Sequence, residues 1–503
     1  MHRRCWAVVA VGMMLFFVVE SAVFAAPGGQ ETPPQALLWS YLAGGMAYLV
    51  PLAVTLLVLS GLTEEDARQA AHLVPGAVGV AALAYIAVGF ALEFGGVGLM
   101  DARHGFSQLV WEWSALPEQY GPYWGMAGFA GWFLSGGAGT PEAVALFFGH
   151  LPWALTAALI PALVVRRRAP AISPLLLAAL VGGLLAPIVG NWVHGGGWLA
   201  RVGVTLGWGH GYLDFGGSAQ VGVVGGAVGL AALLGFRLRR AEEGRGALPP
   251  VHLPVLAAGG LFLLIIGTAG WALNNPLYDV NALPLHRVLT NAVLGVAGGA
   301  ALPALYTWFV AGRAHPQVVG AGALAGWLGV LAGLPFLNAA SALGIGVGLG
   351  IVTPLVLYLV REVLALDDPA GVVTASLLGG WAGPLAVAAL ADGEYGAGWH
   401  GIAGPIASWW QGVAEWTLQA QAQVTGAGAA FVWAFLVGSV VCVGLAVLWW
   451  AVGKVQAVRE RTETTEEQEE SEKQGEETEA GQGEEVNEEA MSQPESENPG
   501  KEE

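Results

Sequence analysis

The chain has 503 residues, 55% of them hydrophobic and only 12% charged, with a mean hydropathy of +0.59. That profile excludes an ordinary soluble globular protein and marks a polytopic membrane protein. The formal net charge of -18 does not call for a basic or nucleic-acid partner, because much of the acid lies after residue 459 and the body is close to neutral.

The first 26 residues, MHRRCWAVVAVGMMLFFVVESAVFAA, carry Arg3 and Arg4, an apolar stretch, and small residues at Val23, Ala25 and Ala26. They read as a cleaved signal peptide, with an uncleaved anchor helix as the alternative. Cys5 and Cys442 are the only cysteines, which leaves no disulfide framework and no cysteine metal site.

A membrane span needs about 20 mostly apolar residues, and lipid admits only helices or closed barrels. Long apolar runs without alternation choose helices. They predict eleven spans at roughly 35–60, 72–98, 142–165, 173–193, 216–236, 251–272, 290–311, 318–334, 338–360, 370–391 and 427–453.

Orientation follows from Lys and Arg between the spans. With the mature N-terminus outside, thirteen of the 20 basic residues fall inside: Arg68, Arg166 to Arg168, Arg237, Arg239, Arg240, Arg245, Arg313, Arg361, Lys454, Arg459 and Arg461. Only three fall outside, Arg103, Arg201 and Arg287. The expectation is a cell-membrane protein with its N-terminus outside and its C-terminus cytoplasmic. It divides into the leader at 1–26, a membrane domain at 27–458 and an acidic, disordered tail at 459–503 that could serve a cytoplasmic partner.

Glycines four apart, as in Gly222/Gly226, Gly322/Gly326, Gly344/Gly348 and Gly346/Gly350, permit close helix contact. The longest outside loop, 99–141, carries Trp111, Trp113, Trp124 and Trp132, which suit an interfacial belt or a folded cap.

Ionisable groups inside spans are costly and draw attention to function. Asp214 opens the fifth helix in YLDFGGSAQVGVVGGAVGL, and Asp367 and Asp368 open the tenth ahead of Pro369. Each position suits a helix cap, a carboxylate accepting backbone N–H groups at the positive helix end. Eight residues beyond Asp214 lies Gly222, and eight beyond Asp368 lies Ser376. Both fall about 12 Å along their helices, near mid-membrane. The fifth helix starts outside and the tenth inside, which suggests two inverted five-helix repeats followed by one extra helix, with a solute path between the halves.

The LDFGG start of the fifth helix, the DDP start of the tenth, GW at Gly270 and Trp271, and TN at Thr290 and Asn291 together resemble the ammonium transporter and Rhesus family, over about residues 36–460. The resemblance implies an eleven-helix trimeric channel or transporter for ammonium, ammonia or a similar small solute, with no cofactor. It also implies that the two positions eight beyond the caps hold a histidine pair, where this chain has Gly222 and Ser376. An outer aromatic falls on His194, and a paired phenylalanine gate falls on Phe147 and on Leu151 or Pro152. Residues that follow GW fall on Asn274 and Tyr278.

Neither glycine nor serine relays a proton as imidazole does. The expected pore or substrate residues are therefore Gly222, Ser376, Thr374, His194, Phe147, Leu151, Trp271 and Asn274, acting without a twin-histidine relay. Bland roles compete: serine bonding its own helix, and structural hydrogen bonds for His194 and His150. No nucleophile and base constellation, phosphate loop or metal-ligand spacing points to an enzyme. The alternatives to ammonium transport are a non-conducting sensor or scaffold, and a channel for another neutral solute.

Overall fold

In the computed structural model, residues 34–101, 104–166, 169–170, 172–236, 252–275, 277, 283–394 and 416–491 are described. The leader at 1–26, Arg103 and Tyr278 lie outside them. The chain divides into two compact units, Met1–Val443 and Gly444–Glu503.

The first unit is an all-α membrane fold. Its spans in chain order are α1 Gln35–Ser60, α2 Glu64–Leu99, α3 Pro141–Val165, α4 Ile172–Leu206, α5 Ser218–Gly235, α6 Pro254–Leu273, α7 Leu285–Ala311, α8 Pro316–Leu331, α9 Ala339–Val363 and α10 Pro369–Leu390. A further span, α11 Thr417–Gln456, runs across the boundary between the two units. Among the described residues ten of these are long and apolar enough to cross a membrane, and α8 is a shorter apolar helix. Each overlaps a predicted run, because the hydrocarbon thickness imposes its length directly on the sequence.

Local chemistry sets many of the helix starts. Thr140 caps α3 by accepting from the amide of Ala143 at 3.2 Å, with Pro141 in the first turn. Thr63 caps α2 in the same way through Asp66, and Asn338 caps α9 through Ser341. Four spans are locally widened into π turns, at Tyr85–Gly89, Val181–Leu185, Ser218–Val223 and Leu359–Val363.

α3 and α5 are buried almost throughout. Outward faces carry bare apolar side chains, among them Phe262 on α6, Phe309 on α7 and Leu355 on α9, as lipid contact requires. Close packing of α7, α8 and α9 runs through glycine. A Cβ built at Gly326 would sit 2.3 Å from the Gly295 carbonyl oxygen, and one at Gly346 would sit 2.6 Å from the same oxygen. Gly344 and Gly348 instead face open space, so only one of the two interleaved glycine pairs on α9 serves the contact.

Between α2 and α3 the tryptophan-rich segment folds around a two-stranded antiparallel sheet, β1 Glu112–Ser114 and β2 Gly125–Gly128. The helix that contains α11 runs from Trp416 to Met491. After residue 459 the stretch is dominated by Glu, a good helix former, so backbone helix does not depend there on an apolar face.

Candidate functional site

The carboxylate of Asp214 accepts from the amides of Ser218 at 2.6 Å and Ala219 at 2.8 Å. Asp368 accepts from Val373 at 3.0 Å and Thr374 at 2.9 Å, and the Thr374 hydroxyl donates to it at 2.7 Å. Thr374 is thus engaged with the helix start. Asp367 is half-buried beside Asp368.

Gly222 and Ser376, eight residues along, are both buried where α5 meets α10. A Cβ built at Gly222 would sit 2.9 Å from Gly380 Cα, 3.0 Å from the Ser376 carbonyl oxygen and 3.2 Å from Leu328 Cδ1. A Cβ at Gly380 would sit 2.6 Å from the Val223 amide nitrogen. Backbone lies against backbone at this level. The Ser376 hydroxyl is buried with no hydrogen-bond partner among the described residues.

An aromatic stack occupies the neighbouring space. Trp153 lies parallel to Trp271, ring centroids 4.8 Å apart and planes 4° apart, and Trp327 meets Trp271 edge-on at 5.5 Å. Trp271 Nε1 donates to the Gly216 carbonyl at 2.9 Å, and Trp327 Nε1 donates to Thr268 at 2.8 Å. Gly217, at φ 76°, leaves the room that Trp153 fills: a Cβ there would sit 2.5 Å from its ring. His194 packs on the edge of Trp153 at 5.2 Å, so His194 and Trp271 are joined through Trp153.

The remaining expected residues lie close by in chain but not all in this stack. Asn274 Nδ2 donates to the Gly149 carbonyl at 2.7 Å, which ties the end of α6 to α3. Leu151 is buried. Phe147 stacks instead on Tyr85 at 5.9 Å and meets Phe90 at 6.0 Å.

One group escapes the sequence reading. Glu93, fully buried in α2, accepts from the Tyr85 hydroxyl at 2.8 Å through Oε2 and from Gln220 Nε2 at 2.7 Å through Oε1. His150 Nδ1 stands 3.3 Å from Glu93 Oε1, too far off line to count as a good hydrogen bond. The His150 ring is held between Phe94, edge-on at 4.7 Å, and Trp153, stacked at 4.7 Å. Its centroid is 5.7 Å from that of His194.

The π turn explains how Tyr85 and Glu93 come to share a face. Eight residues advance an ideal α-helix by about 80° beyond two whole turns, and one inserted residue takes back about 100°. Glycine at position 190 leaves room for the Glu93–Gln220 pair, since a Cβ there would press on Glu93 Oε1 and Gln220 Nε2. Asn191 Nδ2 reaches both the Glu93 carbonyl at 3.2 Å and Glu112 Oε1 at 2.8 Å. Glu112, on β1, is pushed up to about 7 by burial, against the lowering effects of its Asn191 bond and of Arg201. Among the described residues no cluster of metal-ligating side chains occurs.

The model of the Ammonium Transporter Family matches residues 39–470. The chain belongs to the ammonium transporter family. It is 29% identical over 399 residues to ammonium transporter Amt2 of Archaeoglobus fulgidus, covering 77% of this chain and 79% of that protein. It is 31% identical over 193 residues to ammonium transporter Amt1 of Methanocaldococcus jannaschii, covering 38% and 46%. Among solved structures, a sensor Amt protein superposes with a TM-score of 0.64 at 22% identity, covering 82% of this chain and 92% of that one. Candida albicans Mep2 superposes with a TM-score of 0.62 at 19% identity, covering 81% and 83%. These last two likenesses concern the fold.

Proposed function

We propose that this family member moves ammonium, ammonia or a similar small solute across the cell membrane, without a twin-histidine relay. Family membership supports the solute class. The observation that carries the second half is the contact of Gly222 with Gly380 and the Ser376 carbonyl, at the two positions eight residues beyond the caps. No imidazole stands at either position, and at Gly222 even a Cβ would meet backbone at 2.9–3.0 Å. The two capped helix starts support an inverted repeat, with the path beside the junction of α5 and α10. The wider reading includes a cleaved leader, an outside N-terminus, a homotrimer in the bilayer, and an acidic C-terminal segment open to a cytoplasmic partner. It involves no catalytic step.

Uptake of ammonium, methylammonium and water into proteoliposomes under a pH gradient tests this reading. Ammonium or methylammonium uptake above protein-free vesicles is the expected result, and none from folded protein would contradict it. A second reading, a non-conducting sensor, is favoured by the same tight contact and by the Trp153–Trp271 stack, which leave little free space at mid-bundle. Ammonium binding without flux would select it.

A further inference from the structure

We propose that Glu93, His150 and Gln220 form a binding site for a small ammonium-class cation, distinct from the Gly222/Ser376 level. The proposal rests on the transporter reading for its solute class and on the following contacts for its location.

A buried carboxylate must be compensated, because burial without a partner is strongly unfavourable. Two neutral donors face Glu93, Tyr85 from its own helix and Gln220 from α5. His150 from α3 supplies the nearest group able to carry positive charge. His194 and Asn191 from α4 complete the surroundings, and Glu112 joins through Asn191. Among the described residues no arginine or lysine pairs with Glu93, and Arg201 acts instead on Glu112.

Several buried acceptors here are orphaned, beside one orphaned donor, Trp153 Nε1. Both ring nitrogens of His150 are buried with no hydrogen-bond partner among the described residues, and with the proton on Nδ1, the nitrogen nearer Glu93, Nε2 is a lone-pair acceptor. Gln220 Oε1 and Asn191 Oδ1 are also buried acceptors without partners there. Buried acceptors left unpaired are costly, so such a group points to a water or ion as its partner. Ammonium has donors only and a single positive charge. It is matched to a cluster of buried acceptors around a carboxylate.

Access is consistent with this role. Glu93 lies within roughly two helical turns of the Leu99 end of α2, on the side that carries β1 and β2. The Asn191 bridge connects it to Glu112 in that segment.

The test is infrared difference spectroscopy of the full chain in lipid, exchanging sodium chloride for ammonium chloride. The expected result is an ammonium-specific change in a carboxylate band that disappears in Glu93→Gln. Tyr85→Phe, which keeps the ring and removes one donor, should shift the same band and serves if Glu93→Gln does not fold. Absence of an ammonium-specific carboxylate change in the wild-type protein, its persistence in folded Glu93→Gln, or no shift in Tyr85→Phe would overturn the proposal. Flux without the band change would sink this site and leave transport standing. The band change without flux would do the reverse.

Discussion

Gly222 and Ser376 meet across the junction of α5 and α10 so closely that a single added methyl at Gly222 would press on the Ser376 carbonyl oxygen at 3.0 Å. The consequence is asymmetric. Gly222→His should destabilise strongly, since its neighbours Gly380 Cα and the Ser376 carbonyl are backbone and cannot swing aside. Ser376→Ala should be neutral or mildly stabilising, because it removes a buried hydroxyl that has no partner among the described residues. Thermal unfolding in detergent distinguishes the two, and a large loss in Ser376→Ala would contradict the assignment.

The cap at Asp214 should matter more than its single charge suggests. It satisfies the amides of Ser218 and Ala219 at the buried start of α5. Asp214→Ala should cost about 1–3 kcal/mol, the penalty for leaving buried donors unmet, and Asp214→Asn should recover part of it. Equal stability of wild type and Asp214→Ala in a detergent unfolding series would refute this.

Glu112 makes the stability of the β1–β2 segment depend on pH. Its folded value is raised from 4.5 to about 7, so the protonated form is the one folding favours. Its contribution is fully present below about 4.5, and is lost as pH rises through the folded value near 7. The wild type should therefore lose stability relative to Glu112→Gln between about pH 4.5 and 7. Parallel pH profiles of melting temperature for the two proteins would count against it.

Orientation is open to a labelling experiment. In a background with Cys442 replaced by Ser, a cysteine at exposed Ser135 should react with an impermeant thiol reagent in intact cells, and one at exposed Ala314 should not. The opposite pattern would reverse the topology.

The spans were legible because hydrophobic thickness is a direct constraint on sequence, and the capping carboxylates because a cap is a local interaction. Glu93 was also open to detection, as a lone carboxylate inside the predicted 72–98 run. What could not be read was its company. Tyr85 joins it only through a π turn that an apolar run does not announce, and His150 and Gln220 arrive from α3 and α5. The Gly222–Gly380 contact is likewise long-range, and a spacing of eight residues from a cap says where a position lies, not whether space surrounds it.

The central claim is that this ammonium transporter family member carries its solute without a proton relay at the two positions eight beyond the caps. The most direct measurement is the pH dependence of ammonium flux in proteoliposomes, for wild type and Ser376→Ala side by side. The account predicts flux in both, with superimposable pH profiles. Absence of flux from folded wild-type protein, or a pH profile displaced by Ser376→Ala, would contradict it.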